Sequence, residues 1–285
     1  MNCREALNAG TGLLRSSGVE SPVLDASLFM ADLLAVERSR LPLLEERELS
    51  PELYRRFRER LERRRAGECT AYILGRREFM GLDLTVTAEV LVPRPDTETL
   101  VEAVLAWIDR RTGPSPRDPL SVLDLCTGSG AVAAALKHER PDLVLWASDI
   151  SPGALKVAEA NARRLLGPDT ITFVQSDLFR AIPGSFDLIA ANPPYVPTGE
   201  LGSLSREVRG EPVLALDGGE DGLALIRPLI AGARNRLKRG GALFMEAGPR
   251  QMPAITGILE NCGYRNIRIR KDLPGRDRVI GAVYG

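Results

Sequence analysis

The spacing of apolar positions changes character near residue 75. Before it, apolar residues recur at helical intervals. "SPVLDASLFMADLLAV" opens with Ser21 as a cap and Pro22 at the first helical position, where its missing N–H costs nothing. Leu24, Leu28 and Leu34 fall on one stripe, with Phe29 beside them. "SPELYRRFRERLERRRAG" repeats the opening at Ser50 and Pro51, carries Leu53, Phe57 and Leu61 four apart, and should end by Gly67. In "YILGRREFMGLDLTV" two short apolar runs flank Gly81, and Leu82, Leu84 and Val86 alternate, as in a hairpin. Pro93 and Pro95 then mark a fixed loop, a helix is expected from about Asp96, and "TGPSPRDP" at 112–119 should end it.

From residue 120 short apolar runs alternate with helix-length segments. "SVLDL", "LVLWASD", "ITFVQSD", "FDLIAAN" and "GALFMEA" read as strands. "GAVAAALKHE", "SPGALKVAEANARRL", "DGLALIRPLIAGARNRL" and "QMPAITGILENCG" read as helices, and two strands, "RNIRIRKD" and "RVIGAVYG", finish the chain. This predicts an α/β fold, a mostly parallel sheet covered on both faces. The expected organisation is a helical domain at 1–75, a hairpin linker at 76–95 and the sheet-bearing domain at 96–285. Open sheets of this kind bind ligands at the carboxyl ends of their strands, so the chemistry is sought there.

Composition narrows the field. A chain of 285 residues buries enough surface to need no covalent staples. Its 38 basic and 38 acidic residues cancel, unlike the strongly basic balance of a nucleic-acid-binding domain. Cys3, Cys69, Cys126 and Cys262 form no CxxC pair, so neither a zinc knot nor a disulfide framework is indicated, and a reducing cytosol is the expected setting. "MNCREALNAG" has no apolar run of signal-peptide type, and no stretch is long and apolar enough to cross a membrane. His138 is the only histidine, which excludes a histidine-rich metal site and weakens a serine triad. Seven arginines lie between Arg55 and Arg65. They read as a solvated face paired with Glu59 and Glu62, or as a contact surface for an acidic or RNA-containing partner.

Four strand ends carry the candidate site. In "LDLCTGSGAVAAAL", Cys126, Thr127, Gly128, Ser129 and Gly130 form a turn from strand to helix. The third glycine of a dinucleotide fingerprint is absent, with Ala133 in its place, and Asp124 at the mouth suits a cationic ligand better than a pyrophosphate. In "WASDIS", Asp149 lies 19 positions after Gly130, near the spacing at which an acid binds ribose hydroxyls. In "QSDLF", Asp177 could take an adenine amino group, with Leu178 against the base. These ends describe a site for an adenosine that carries positive charge and no phosphates. S-adenosylmethionine fits that description, and NAD fits it less well.

The fourth end is "NPPY", residues 192–195. Proline fixes its own φ and pushes the preceding residue to extended geometry. Asn192 is therefore held extended, with Pro193 and Pro194 locked after it. The side-chain oxygen of Asn192 and the backbone oxygen of Pro193 could converge on an NH2 group, and Tyr195 could supply a flat wall for a planar substrate such as an amide or a nucleobase. Glu98, Glu211 and Glu246 have no assigned role. Glu246 ends a strand, where it could brace the Asn192 loop or touch substrate.

"DLCTGSG", "SD" at 148–149 and "NPPY", in this order, resemble the class I S-adenosylmethionine methyltransferases (Rossmann-like, mostly parallel sheet) that act on planar amino groups. "YILGRREFMGLDLTV", "LVPRPDTETLVE", "NPPYVP", "EPVLALDGGEDGL", "EAGPRQ" and "DLPGRDRVI" narrow the resemblance to the release-factor glutamine methyltransferases, over nearly the whole chain. Cys126 departs from the glycine common there.

The resemblance implies transfer of methyl from S-adenosylmethionine to the glutamine side-chain nitrogen in the Gly-Gly-Gln motif of class 1 peptide-chain release factors. Residues 126–130, Asp149, Leu178 and Asn192 would contact the cofactor, Asn192 to Tyr195 would hold the glutamine, and the N-terminal helices would help recognise the release factor. Methyl transfer from a sulfonium needs no metal. A monomeric cytoplasmic enzyme without a nucleic-acid substrate is expected. The alternatives are a ribosomal-protein glutamine methyltransferase, a nucleic-acid amino methyltransferase using the arginine helix, and a non-catalytic cofactor-binding scaffold.

Overall fold

The computed structural model describes residues 1–112 and 119–285. The chain divides into two units, Met1–Gly75 with Ser205–Gly210, and Arg76–Leu204 with Glu211–Gly285.

The first unit contains α1 (Cys3–Ser16), α2 (Pro22–Leu33), α3 (Pro51–Arg65), α4 (Thr70–Leu74) and the single turn α8 (Arg206–Arg209). Helix α1 starts with a capping box between Asn2 and Glu5, and α3 with Ser50 accepting from the Leu53 N–H. Ser21 occupies the cap position of α2, but its side chain makes no capping bond. Phe57 and Leu61 are buried, with Leu53 packed beside them.

The stripe expected on α2 is not the one that is buried. Asp25, Ala26, Phe29 and Met30 face inward, whereas Leu24 is exposed and Leu28 and Leu34 are half-buried. Helix α2 has apolar residues on several sides, so its rotation is set by a polar tertiary contact. Asp25 accepts from Arg64 Nε at 2.6 Å and from the Thr70 hydroxyl at 2.9 Å.

The second unit opens with an antiparallel hairpin, β1 (Arg76–Phe79) and β2 (Leu82–Thr85), with Leu82, Leu84 and Val86 buried as the alternation predicts. Then come α5 (Pro95–Thr112), β3 (Ser121–Leu125), α6 (Ala131–Glu139), β4 (Val144–Asp149), α7 (Pro152–Leu166), β5 (Thr172–Gln175), β6 (Phe186–Ala191), α9 (Ile226–Arg234), β7 (Leu237–Glu246), α10 (Met252–Asn261), β8 (Tyr264–Lys271) and β9 (Asp277–Tyr284). The expected loop at 112–119 falls almost wholly outside the described residues. Helix α9 is shorter than its apolar pattern suggests. Residues 221–225 form turns, because the Asp221 carboxylate ties down the Leu223 N–H and Arg227. Strand β7 begins earlier than "GALFMEA", at Leu237.

The seven-stranded sheet has the order β5-β4-β3-β6-β7-β9-β8. The first five strands run parallel, and β9 and β8 close the edge antiparallel. One apolar core packs α5, α6 and α7 on one face, and another packs α9 and α10 on the other. The chain moves outward from β3 to β4 and β5, then returns to the other side of β3 with β6 and β7. Such a reversal opens a crevice at the strands' carboxyl ends. Leu125 of β3 is paired with Ala191 of β6, so Cys126 and Asn192 leave the sheet side by side.

Candidate active site

The crevice is a cavity of about 360 Å³, a volume suited to a small-molecule ligand. Its wall includes Asp124 near the end of β3 with Cys126, Thr127, Gly128 and Ser129 after it, Asp149 at the end of β4, Asp177 and Leu178 after β5, and Asn192 and Pro194 after β6. Three expected site residues, Gly130, Pro193 and Tyr195, do not line it.

The β3 turn is built around Asp124. Its Oδ2 accepts from the Thr127 hydroxyl at 2.5 Å and from the Ala133 N–H at 3.1 Å. Asp124 is 1% exposed, and burial pushes its carboxyl up to about 7. Cys126 has φ +61°, in the left-handed region that disfavours side chains, and burial raises its thiol pKa. Gly130 packs closely against α7. Its φ is +79°, and a Cβ there would lie 3.1 Å from the Cβ of Ala158 on α7. Asn161 on α7 locks the arrangement, donating to the backbone oxygens of Thr85 at 2.9 Å and Ser129 at 3.0 Å.

Asp149 joins two turns. Its oxygens accept from the Gly128 N–H at 2.9 Å and the Ser151 N–H at 3.0 Å, while Ser151 caps α7 through its own hydroxyl. Burial raises the Asp149 pKa against these bonds. Asp177 pairs with Arg180 at 2.8 Å, and Leu178, at φ +48°, is the second left-handed non-glycine residue on the cavity wall. The Ser148 hydroxyl, also on that wall, is buried and unpartnered. Sequence reasoning did not single it out. Acids at three strand ends, a free buried hydroxyl and an apolar patch around Leu178 fit a cationic adenosine ligand. A buried carboxylate such as Asp124 would repel a pyrophosphate.

At the fourth end, Asn192 donates from Nδ2 to Thr97 Oγ1 at 3.2 Å. The Tyr195 hydroxyl points away from the cavity wall into a buried polar network, as a buried phenol that needs partners must. It donates to Glu246 Oε1 at 2.9 Å and accepts from Arg278 Nη1 at 3.3 Å. Glu246 is 2% exposed and its Oε2 has no hydrogen-bond partner among the described residues, and burial raises its carboxyl pKa. Arg278 is held in turn by Asp272 at 3.2 Å and Asp96 at 3.0 Å.

Other side chains brace the backbone. Gln251 donates to the Tyr195 carbonyl at 2.8 Å and accepts from the Gly248 N–H at 2.9 Å. Gly222, at φ +73°, must be glycine, because a Cβ there would come within 2.3 Å of the Tyr195 oxygen. Glu211 accepts from the Val92 N–H at 3.0 Å and pairs with Arg94. Of the three glutamates without an assigned role, Glu246 and Glu211 are buried braces, and Glu98 accepts from the Met80 N–H at 3.2 Å in the hairpin. Of these, Glu246 was expected as a possible brace from its place at a strand end. No local spacing links residues 97, 246 and 278.

Comparison with known proteins agrees with this geometry. Residues 5–75 match the PrmC N-terminal domain, and residues 115–204 match the methyltransferase small domain. A release factor glutamine methyltransferase from Moorella thermoacetica is 42% identical over 98% of this chain and 98% of its own. One from Deinococcus radiodurans is 40% identical over 99% of this chain and 98% of its own. This chain belongs to the release factor glutamine methyltransferase family. Solved structures extend the fold beyond the family. A methyltransferase from Pyrococcus furiosus has a TM-score of 0.52 at 18% identity, covering 72% of this chain and 90% of that one. The hMettl16 catalytic domain, solved with a 3'UTR hairpin, has a TM-score of 0.58 at 16% identity, covering 80% and 82%. At such identities these two speak for the fold alone.

Proposed function

We infer that this protein transfers the methyl group of S-adenosylmethionine to the side-chain amide nitrogen of the glutamine in the Gly-Gly-Gln motif of class 1 peptide-chain release factors. One observation carries the reading. Asn192 stands at the switch point beside the β3 turn, its side chain on the cavity wall and its NH2 group tied back to Thr97. That leaves its oxygen as an acceptor for a planar NH2 group.

When bound, S-adenosylmethionine supplies an electrophilic methyl on a sulfonium. Asp149 would hold its ribose hydroxyls, Asp177 its adenine amino group, Leu178 the base, and Asp124 with the Cys126–Ser129 turn its cationic end. An amide nitrogen is a weak nucleophile because its lone pair is delocalised. Positioning therefore does most of the work. Asn192 Oδ1, on the cavity wall, and the Pro193 carbonyl, one residue further along the chain and not on that wall, would accept the two amide hydrogens and fix the orientation of the nitrogen. The same two oxygens favour the positive charge that develops on nitrogen. The proton leaves afterwards to water.

The first unit serves recognition of the release factor. The protein works as a monomer on a protein substrate, in the cytoplasm; no helix among the described residues is long and apolar enough to cross a membrane.

The test is a transfer assay with methyl-labelled S-adenosylmethionine and three acceptors: a class 1 release factor, the same factor with its Gly-Gly-Gln glutamine replaced, and bulk DNA with RNA. Label on the intact factor alone is expected. Label on nucleic acid would overturn the reading.

A further inference from the structure

We propose that Arg94 holds the carboxylate of the methionine portion of S-adenosylmethionine, and so selects a cofactor whose amino-acid end is intact. The inference rests on the reading of the cavity as the site of S-adenosylmethionine.

The charges on the cavity wall are lopsided. Among the described residues, Glu89, Asp124, Asp149 and Asp177 bring four carboxylates, and Arg94 brings the one cation. The ligand is lopsided in the opposite sense. It carries a sulfonium, an ammonium and a single anion, the carboxylate. Against acidic walls that carboxylate would be repelled, and out of water it needs donors. Arg94 is the one charged donor on the wall. Its placement agrees. The sheet order β5-β4-β3-β6 sets Asp177 and Asp149, the adenine and ribose partners, toward one side, and Asn192, just after β6, toward the other. The amino-acid end of the ligand therefore lies toward β3 and β6. Arg94 stands on that side. Its carbonyl accepts from the Thr97 N–H at 3.0 Å, and the Thr97 hydroxyl accepts from Asn192 at 3.2 Å.

The ion pair with Glu211 does not exhaust Arg94. Glu211, whose side chain is 0% exposed, accepts from the Val92 N–H at 3.0 Å and from Arg94 Nη2. That bond engages one edge of a guanidinium that carries five N–H donors. No other bond joins the Arg94 guanidinium to the described residues, and its side chain is 36% exposed. Pro93 before it and Pro95 after it restrict the backbone. The guanidinium is thus held at one edge and open along the rest. A planar fork in that state can take a second carboxylate through two parallel bonds.

The test measures Kd by titration calorimetry for two ligands, S-adenosylmethionine and decarboxylated S-adenosylmethionine, which keeps the sulfonium and the amine. The parent protein should bind the intact cofactor about 10–100-fold more tightly than the decarboxylated one. Arg94→Met should lose that preference. It should bind the intact cofactor about 10–100-fold more weakly than the parent does, with no weakening for the decarboxylated one. Equal weakening of both ligands would make Arg94 a brace for Glu211 alone and overturn the proposal. Should Arg94→Met not fold, because buried Glu211 has lost its cation, Arg94→Met combined with Glu211→Gln removes that charge and carries the same test. The parent's own preference needs no variant, and a parent that binds both ligands equally would overturn the role of Arg94 while leaving the cavity as the cofactor site. A parent that binds neither ligand would overturn the reading of the cavity itself, and the proposal with it.

Discussion

Helix α3 and the corner at residues 192–195 are both rich in polar contacts, and they use them in opposite ways. On α3, Arg55 pairs with Glu52 at 2.7 Å, Arg58 with Glu62 at 3.9 Å and Arg65 with Glu62 at 3.1 Å, and all of these side chains are about half exposed. Water competes for every such pair, so each contributes little. Behind the corner, Glu246, Arg278 and Asp272 are buried, and each bond stands where water cannot. A lost partner there leaves an uncompensated charge or dipole in a medium that cannot screen it. Helix α3 contains both behaviours. Arg64 turns inward onto Asp25 at 2.6 Å and pairs with Glu207 from α8. Sequence spacing does not separate Arg64 from its six arginine neighbours. Burial does.

The largest expected effect sharpens that contrast. Arg64→Met leaves Asp25 buried without its cation, and should cost about 3–5 kcal/mol of stability in urea unfolding. A loss below about 1 kcal/mol would place Arg64 with the solvated arginines.

Asn192→Ala should lower kcat about 100-fold or more, while cofactor affinity changes only a few-fold and Tm hardly moves. A large fall in Tm would instead make the corner a folding element.

A smaller effect concerns pH. Asp124, pushed up to about 7 by burial, is largely protonated below that pH in the free protein. A cationic ligand binds the ionised form better, so binding releases a proton. Affinity for S-adenosylmethionine should therefore rise with pH, by up to about tenfold per unit below pH 7, and flatten above it. Titration calorimetry across this range checks the slope, and Asp124→Asn should abolish it.

Arg55→Ala, at the small end, should leave both Tm and turnover unchanged. A rise in KM for the release factor would show that the outer face of α3 touches substrate.

Much of the sheet-bearing unit was legible because a parallel sheet covered on both faces needs short apolar strands between long helices. "SVLDL" and "FDLIAAN" can hardly be anything else. The cavity wall was legible for a related reason. Ligands meet strand ends, so Asp124, Asp149, Asp177 and Asn192 could be found by looking at the last residues of each strand and the first beyond it. The reading fell short where a local pattern had more than one solution. Helix α2 has apolar residues on several sides, and Asp25 fixed its rotation through a partner 39 residues away. Gly130 also makes room for Ala158 on α7, a contact that its place in the turn did not announce. The buried partners of the Tyr195 hydroxyl, Glu246 and Arg278, were likewise not foreseen.

By itself, the sequence determined the strand and helix order, the family, and several of the side chains that reach the cavity, among them Asp124, Asp149, Asp177 and Asn192, because these depend on periodicity and on what stands at a strand's end. Only the tertiary structure decided which side chains hold those residues still. Thr97, Glu246, Gln251 and Arg278 come from the starts and ends of elements far apart along the chain, and nothing in their local spacing records that they meet. Hydrogen bonds in a buried site depend on position and direction in space. A one-dimensional pattern carries neither until the sheet has brought its strand ends together.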